Sequence, residues 1–269
     1  MLTSLLDYEL PDERIAKYPT SERDGARMLV VESEGVQHDR VALWPERVPA
    51  GSLVVLNDTR VVPARVLGRR EPTGGRVELL LTRRLSAEGE VERWAAIGRA
   101  SKPLRPGTVV TAHTLRLTLL SAEEGALTVQ VEAEGGVSAA LEAHGHVPIP
   151  PYLAREDDAS DRTRYQTVFA RNSGSVAAPT ASLHLTEVGL QRLVARGVQV
   201  RWVTLHVGLG TFRPVMSEDL DQHPMHSEVV EVPADTVEAV IDARRRGRPA
   251  IAVGTTVVRA LESARQRSG

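Results

Sequence analysis

Three histidines, His206, His223 and His226, fall within a short span of the chain, and histidine is the side chain best suited to moving a proton near neutral pH. His206 lies near the end of an apolar, β-branched run, residues 198–207, and Gly208-Leu209-Gly210 follow it. A glycine pair there lets the backbone turn sharply or a ligand come close. A second group is Asn57-Asp58-Thr59-Arg60, where a carboxylate and a guanidinium at the end of the apolar run 53–56 can face a ligand. Asp58 would serve equally as a turn or helix-capping carboxylate. A third is Gly254-Thr255-Thr256, between the short apolar run 251–253 and a helical pattern over 257–266. Free backbone N–H groups at such a helix start suit an anion or carboxylate. It is not a nucleotide P-loop, whose spacing is absent. His223-x-x-His226 with His206 and Glu228 offers nitrogen and oxygen ligands for a metal-dependent hydrolase. The pair lacks the H-E-x-x-H spacing and lies beside Pro224, so this is the lesser alternative and no metal is expected.

The elements that must position these residues read as two units. Strands at 28–31, 53–56, 198–207, 227–232 and 251–253 are interleaved with helical patterns, as in an α/β sheet whose strand ends form the ligand crevice. A short helix is expected over 12–18. Thr186 is the predicted N-cap of a helix running to Arg196 and stopped by Gly197. Asp235 and Glu238 read as the capping box of an amphipathic helix ending at Arg244-Arg245-Arg246-Gly247. From 61 to about 134 the pattern changes to short strand-like runs (61–67, 76–81, 93–97, 108–111, 115–120 and 126–131) between Gly, Pro and acidic turns, which predicts a small antiparallel barrel. A helix over 137–144 and the stiff connector His146-Val147-Pro148-Ile149-Pro150-Pro151 lead back. The expected fold is therefore α/β, a three-layer Rossmann-like main domain (1–60 and 148–269) with a small antiparallel β-barrel (61–147) inserted.

With 269 residues, 42% of them hydrophobic and 25% charged, the chain can bury a sizeable core. No apolar run is long enough to cross a bilayer, and residues 1–11 lack the basic region and long apolar core of a secretion signal. The absence of cysteine excludes disulfides, thiolate metal sites and a cysteine nucleophile. A cytoplasmic monomer is expected. Net charge is only −2, but residues 60–105 carry eleven basic against five acidic side chains, so the remainder sums to about −8. That asymmetry points to a polyanion meeting the barrel; arginines that merely keep a barrel soluble are the alternative.

Six ordered motifs resemble the S-adenosylmethionine:tRNA ribosyltransferase-isomerases of queuosine biosynthesis: L-N-D-T-R-V-V-P-A-R (56–65), R-Y-Q-T-V-F-A (164–170), A-A-P-T-A-S-L-H-L-T (177–186), T-L-H-V-G-L-G-T-F-R-P-V (204–215), H-P-M-H-S-E (223–228) and A-V-G-T-T-V-V-R-A-L-E-S (252–263). The resemblance implies transfer of the ribosyl part of S-adenosylmethionine to 7-aminomethyl-7-deazaguanine in a tRNA anticodon loop, giving epoxyqueuosine and releasing adenine and methionine. S-adenosylmethionine is then a co-substrate and no further cofactor is expected. Mapped onto these motifs, His206 and His226 would move protons, with Asp58 or Glu228 orienting them. Arg60 and Arg259 would hold the methionine carboxylate or a phosphate. Tyr165, Gln166, Pro179, Thr180, His184, Gly208, Gly210, Thr211, Phe212, Gly254, Thr255 and Thr256 would line the substrate site. Two positions depart from the family's G-L-H-F-T: Ser182 stands for glycine and Leu185 for phenylalanine, and a lost aromatic would weaken base stacking. The family pattern also continues past the L-E-S helix, whereas this sequence ends at Gly269. The resemblance thus implies a missing C-terminal segment, and a catalytically impaired tRNA-binding relative is the alternative function.

Overall fold

The run Leu53–Asn57 is apolar or amide at every position, so as a strand it needs cover on both faces. The computed structural model supplies it, describing all residues except 124, 209, 211–214, 224, 226, 268 and 269, and the side chain of 267. In chain order, β1 (Arg27–Glu32) and β2 (Gly35–Arg40) form a hairpin, and the short helix α1 (Trp44–Arg47) precedes β3 (Leu53–Asn57) and β4 (Thr59–Val61). Six strands follow: β5 (Arg65–Arg70), β6 (Arg76–Glu88), β7 (Val91–Ala100), β8 (Val109–Ala112), β9 (Leu115–Glu123) and β10 (Ala126–Ala133). Helices α2 (Val137–His144) and α3 (Asp161–Arg164), strand β11 (Asn172–Ser175), helix α4 (Glu187–Ala195), strands β12 (Gln199–His206) and β13 (Val229–Glu231), helix α5 (Ala234–Arg245), strand β14 (Ala250–Ala252) and helix α6 (Thr255–Arg267) complete the order.

The main sheet is ordered β13-β12-β3-β14, with β12, β3 and β14 parallel and β13 antiparallel at one edge. Strand side chains alternate between faces, and here each face is covered. Leu53, Val55, Val203 and Leu205 pack against Ala239 and Ala243 of α5 and Val257 and Ala260 of α6. Val54, Leu56, Trp202 and Ile251 pack against Leu190 and Leu193 of α4 and Trp44 of α1. This is the expected three-layer arrangement. Its parallel strands bring their C-terminal ends, Asn57, His206 and Ala252, to one edge, where such sheets hold ligands.

The six strands of 65–133 close into a barrel in the order β10-β7-β6-β5-β8-β9, every pair antiparallel. Its interior is filled by Leu79, Leu81, Leu117, Leu119, Val129 and Val131, and Val137, Ala140 and Leu141 of α2 join the same core. In the chain the barrel lies between β4 and β11, which pair with each other in parallel beside the main sheet.

Local chemistry explains where elements depart from expectation. The run 61–67 is split, because Pro63 offers no N–H to a ladder, so β4 ends at Val61 and β5 starts at Arg65. The helix expected over 12–18 is only a 3₁₀ turn, Asp12–Arg14. Helix α5 begins at Ala234 with Pro233 as N-cap, so Asp235 lies inside the first turn and forms no capping box. Instead the Thr236 hydroxyl donates to the Trp202 carbonyl (2.8 Å), tying α5 to the sheet. Thr186 does cap α4, its Oγ1 accepting the Gly189 N–H at 3.0 Å, and Gly197 stops that helix at φ +75°.

Candidate active site

A cleft of about 610 Å³ opens between the C-terminal edge of the main sheet and the barrel. His206, Gly208 and Glu228 line one wall, Gly174 of β11 adjoins them, and Arg83, Arg84 and Trp94 line the other.

His206 is the last residue of β12 and is gripped from two sides. Backbone pairing of β3 with β12 ends at Asn57↔Val203. The Asn57 amide continues it, donating to the Leu205 carbonyl (3.0 Å) and accepting the Leu205 N–H (3.1 Å). The same amide oxygen takes the Thr59 N–H at 3.2 Å, which sets Thr59 beside His206 with Oγ1 2.7 Å from Nδ1. On the other side Gly174 approaches so closely that a Cβ there would stand 3.0 Å from Nε2 and Cε1 of the ring. Burial pushes the His206 pKa below its ordinary 6.5, against the opposing pull of the Asp58 and Glu231 carboxylates. The imidazole is therefore neutral at pH 7. When the Thr59 hydroxyl donates to the Asn172 carbonyl (3.4 Å), its oxygen accepts the His206 Nδ1 proton. Nε2, which has no hydrogen-bond partner among the described residues, then carries the lone pair. A neutral imidazole with one nitrogen held and the other free is the arrangement a general base needs.

Glu228 is committed elsewhere. Its side chain is only 7% exposed; Oε1 accepts the Gly208 N–H (3.1 Å) and Oε2 pairs with Arg259 of α6 (2.6 Å). It knits the turn after β12 to α6, which makes it a positioning group for the cleft rather than a free base. Asp58, also buried, accepts from the Thr204 hydroxyl (2.7 Å) and the Asn172 amide (3.2 Å), and Arg171 lies 3.0 Å from its other oxygen. It faces a smaller cavity of about 290 Å³ shared with Trp202 and Glu231 and reaches His206 only through its charge.

The other expected residues scatter. Tyr165 is buried with Val61, Val147 and Ala178, and burial pushes its hydroxyl up to about 12, so it stays protonated at neutral pH. Gln166 clamps both backbone groups of Val61, at 3.0 and 2.7 Å. Pro179 is buried and Thr180 exposed at the start of a 3₁₀ turn. His184 is exposed beside a small crevice with Trp44 and Thr186, outside the cleft lining. Arg60 is half-buried on β4, also outside that lining. Gly254 (φ +93°) would place a Cβ 3.2 Å from Ala181, at the start of α6 with Thr255 exposed and the Thr256 hydroxyl buried without a partner. These three follow β14, on the far side of β3 from β12. Gly210 is half-buried; His226, Thr211 and Phe212 lie outside the described residues. Leu185 is buried in the core against β3, with Val54, Leu56 and Leu193, so this position packs the sheet rather than stacking on a base. Among the described residues no group of three or more His, Asp or Glu is placed to hold a metal ion, and no helix is long and apolar enough to cross a membrane.

Sequence reasoning missed Thr59, Gly174 and the barrel pair Arg83-Arg84 as parts of the site. Thr59 stood in plain view between Asp58 and Arg60, whereas Gly174, in Asn172-Ser173-Gly174-Ser175, carried no local signal.

Comparison with known proteins covers nearly the whole chain. A family model described as queuosine biosynthesis protein matches residues 3–269. An S-adenosylmethionine:tRNA ribosyltransferase-isomerase of Sorangium cellulosum is 52% identical, the match covering 98% of this chain and 77% of that protein. Proteins of the same name from Anaeromyxobacter sp. (47% identical, 98% and 77% covered) and Pelobacter propionicus (43%, 100% and 79%) are also similar. A crystal structure of S-adenosylmethionine tRNA ribosyltransferase from Thermotoga maritima matches at 26% identity and a TM-score of 0.43, covering 97% of this chain and 72% of that one. The chain belongs to the queuosine biosynthesis family, alongside the S-adenosylmethionine:tRNA ribosyltransferase-isomerases.

Proposed function

We propose that this chain transfers the ribosyl moiety of S-adenosylmethionine to 7-aminomethyl-7-deazaguanine in the anticodon loop of a tRNA and isomerises it, giving epoxyqueuosine with release of adenine and methionine. Residues 1–60 with 148–269 form the catalytic part and 61–147 the inserted barrel, and the reaction needs no cofactor beyond its co-substrate.

The observation that carries this reading is His206: a neutral imidazole held at Nδ1 by Thr59, with no described residue bonded to Nε2, in a cleft whose other wall carries Arg83 and Arg84. The sulfonium of S-adenosylmethionine withdraws electrons from the adjoining 5′ carbon, so a base near neutrality can remove a 5′ proton and leave a carbanion beside the sulfur cation. Nε2 takes that proton and Nδ1–H stays bonded to Thr59, whose oxygen steadies the imidazolium. The proton is then available to a departing adenine or to the sugar oxygen. Gly208, its N–H fixed by Glu228, leaves room for the sugar next to the ring.

The test is release of adenine from S-adenosylmethionine, followed chromatographically with a tRNA that carries the aminomethyl-deazaguanine precursor. Release should require both substrates and stop with His206→Gln. Adenine formed at the same rate without tRNA would overturn the proposal.

A further inference from the structure

The cleft has a second wall whose chemistry the proposed reaction leaves unused. We propose that Arg83 and Arg84 are a phosphodiester-binding station, holding the RNA backbone beside the nucleotide that faces His206; this rests on the tRNA-modifying function proposed above and names where the RNA is gripped.

Consecutive residues of a regular strand point to opposite faces, yet Arg83 and Arg84 both line the cleft that His206 lines. The register of β6 against β7 is broken on both sides of the pair. Leu81 pairs with Ala96 but Arg83 pairs with Ala95, and Arg84 pairs with Trp94 but Ser86 with Arg93. One extra residue on each side of the arginine pair makes two bulges, which twist the strand and re-aim its side chains. The first bulge is pinned where the Thr82 hydroxyl donates to the Ala95 carbonyl (3.0 Å).

Charge points the same way. Arg83 is exposed and makes no hydrogen bond or ion pair with any described residue. The acid nearest Arg84 is Glu92, at 3.4 Å, and Glu92 is buried and already accepts the Trp94 indole N–H at 2.7 Å. Of the two guanidinium groups, only Arg84 thus meets a carboxylate, and that one is already engaged by Trp94. Three neighbouring barrel arginines are spent on the fold. Arg65 is tied to Glu78, Glu156 and Asp157, Arg69 donates to the Gly74 carbonyl, and Arg70 donates to the carbonyls of Lys102 and Pro103. A planar, weakly hydrated guanidinium matches a phosphate oxygen pair, and RNA binding draws most of its affinity from such pairings.

The experiment measures affinity of the full chain for a tRNA carrying 7-aminomethyl-7-deazaguanine over a series of salt concentrations, with Arg83→Ala/Arg84→Ala beside the unchanged protein. The double variant should bind that tRNA roughly 10–100-fold more weakly, and its slope of log K against log salt should fall by about 0.7–0.9 for each phosphate no longer neutralised. KM for tRNA should rise while kcat at saturating tRNA changes less than about threefold. Affinity for S-adenosylmethionine, by calorimetry, should not move; its loss would assign the pair to the methionine carboxylate and overturn the proposal. Arg76→Ala removes one such charge from the same strand roughly 20 Å away and should cost little; a loss equal to that of Arg83→Ala alone would reduce the pair to general charge and overturn it too. Arg83→Lys/Arg84→Lys should keep the salt slope and lose only a few-fold in affinity. Unchanged binding by the double alanine variant would end the idea. Should that variant not fold, Arg83→Ala alone decides on the same criteria. If the unchanged protein binds tRNA at this wall but releases no adenine, the proposed reaction fails while the binding station stands.

Discussion

Two stations on one face of β12 hold an ionisable group, and they are finished differently. Thr204 and His206 alternate onto the same side of the strand, and the neighbouring residues Asp58 and Thr59 each serve one of them. At the Thr204 station the Asp58 carboxylate is complete: hydroxyl and amide donors on one oxygen, and on the other a guanidinium that itself lies over the Trp202 ring at 4.8 Å. At the His206 station one ring nitrogen is met by Thr59 and the other by no described residue. His206 lines the cleft, so a ligand there can meet that nitrogen. Asp58 is thus bound into the fold, while His206 is the group to which the proposed reaction assigns chemistry.

The sharpest attempt to break that contrast is His206→Gln. Loss of a general base costs about 10²–10⁴-fold in rate, so adenine release should fall by that factor while the urea midpoint stays close to that of the unchanged protein. Asp58→Asn should behave in the opposite sense. The amide keeps an acceptor for Thr204 and Asn172 but turns a donor or a neutral oxygen toward Arg171, so stability should fall by about 1–3 kcal/mol and rate by less than about tenfold. An Asp58→Asn protein as stable as its parent but as slow as His206→Gln would exchange the two roles.

What the sequence made legible follows the range of the forces involved. The β-branched runs that became β3 and β12, and the Thr186 and Gly197 ends of α4, are set by neighbours a few residues away, and each appeared where the pattern put it. The strand run expected over 76–81 stopped short of β6, which continues to Glu88, because two bulges break the alternation that reveals a strand. Asp235 and Glu238 had the spacing of a capping box, but Pro233, with its fixed φ, started the helix earlier. The candidate site divides in the same way. His206 and Gly208 announced themselves by type and by the glycine turn. The Thr59–His206 pairing spans 147 positions and the need for glycine at 174 arises only from the close approach of that ring, so neither leaves a local mark. Glu228 was visible as a carboxylate near histidines, but only the fold shows it occupied by Gly208 and Arg259.

Thr59 offers a finer test. Thr59→Val keeps the shape and removes the oxygen that meets Nδ1, so the rate should drop about tenfold, and Thr59→Ser should restore most of it. An imidazolium that has lost its acceptor holds its proton less well. The acid limb of the pH–rate profile should therefore move to lower pH in Thr59→Val and return in Thr59→Ser. A loss through misfolding would lower the rate without moving the limb.

The smallest effect is on stability against pH, and its sign separates the two stations. The folded pKa of His206 lies below its ordinary 6.5 because burial disfavours the cation. As pH falls, the unfolded chain takes up this proton before the folded one does, so the contribution to stability is complete above about 6.5. It is lost as pH drops through the depressed folded value. Between pH 7 and about 5, urea unfolding of His206→Gln should consequently lose less stability than the unchanged protein does, because glutamine has no proton to gain. Asp58→Asn removes a carboxylate that pulls the His206 pKa up, so it should leave that part of the curve at least as steep as in the unchanged protein. Equal slopes for the parent and His206→Gln would mean that His206 titrates alike in the folded and unfolded chains, and the ring could not then be held neutral for proton removal by its burial beside Thr59 and Gly174.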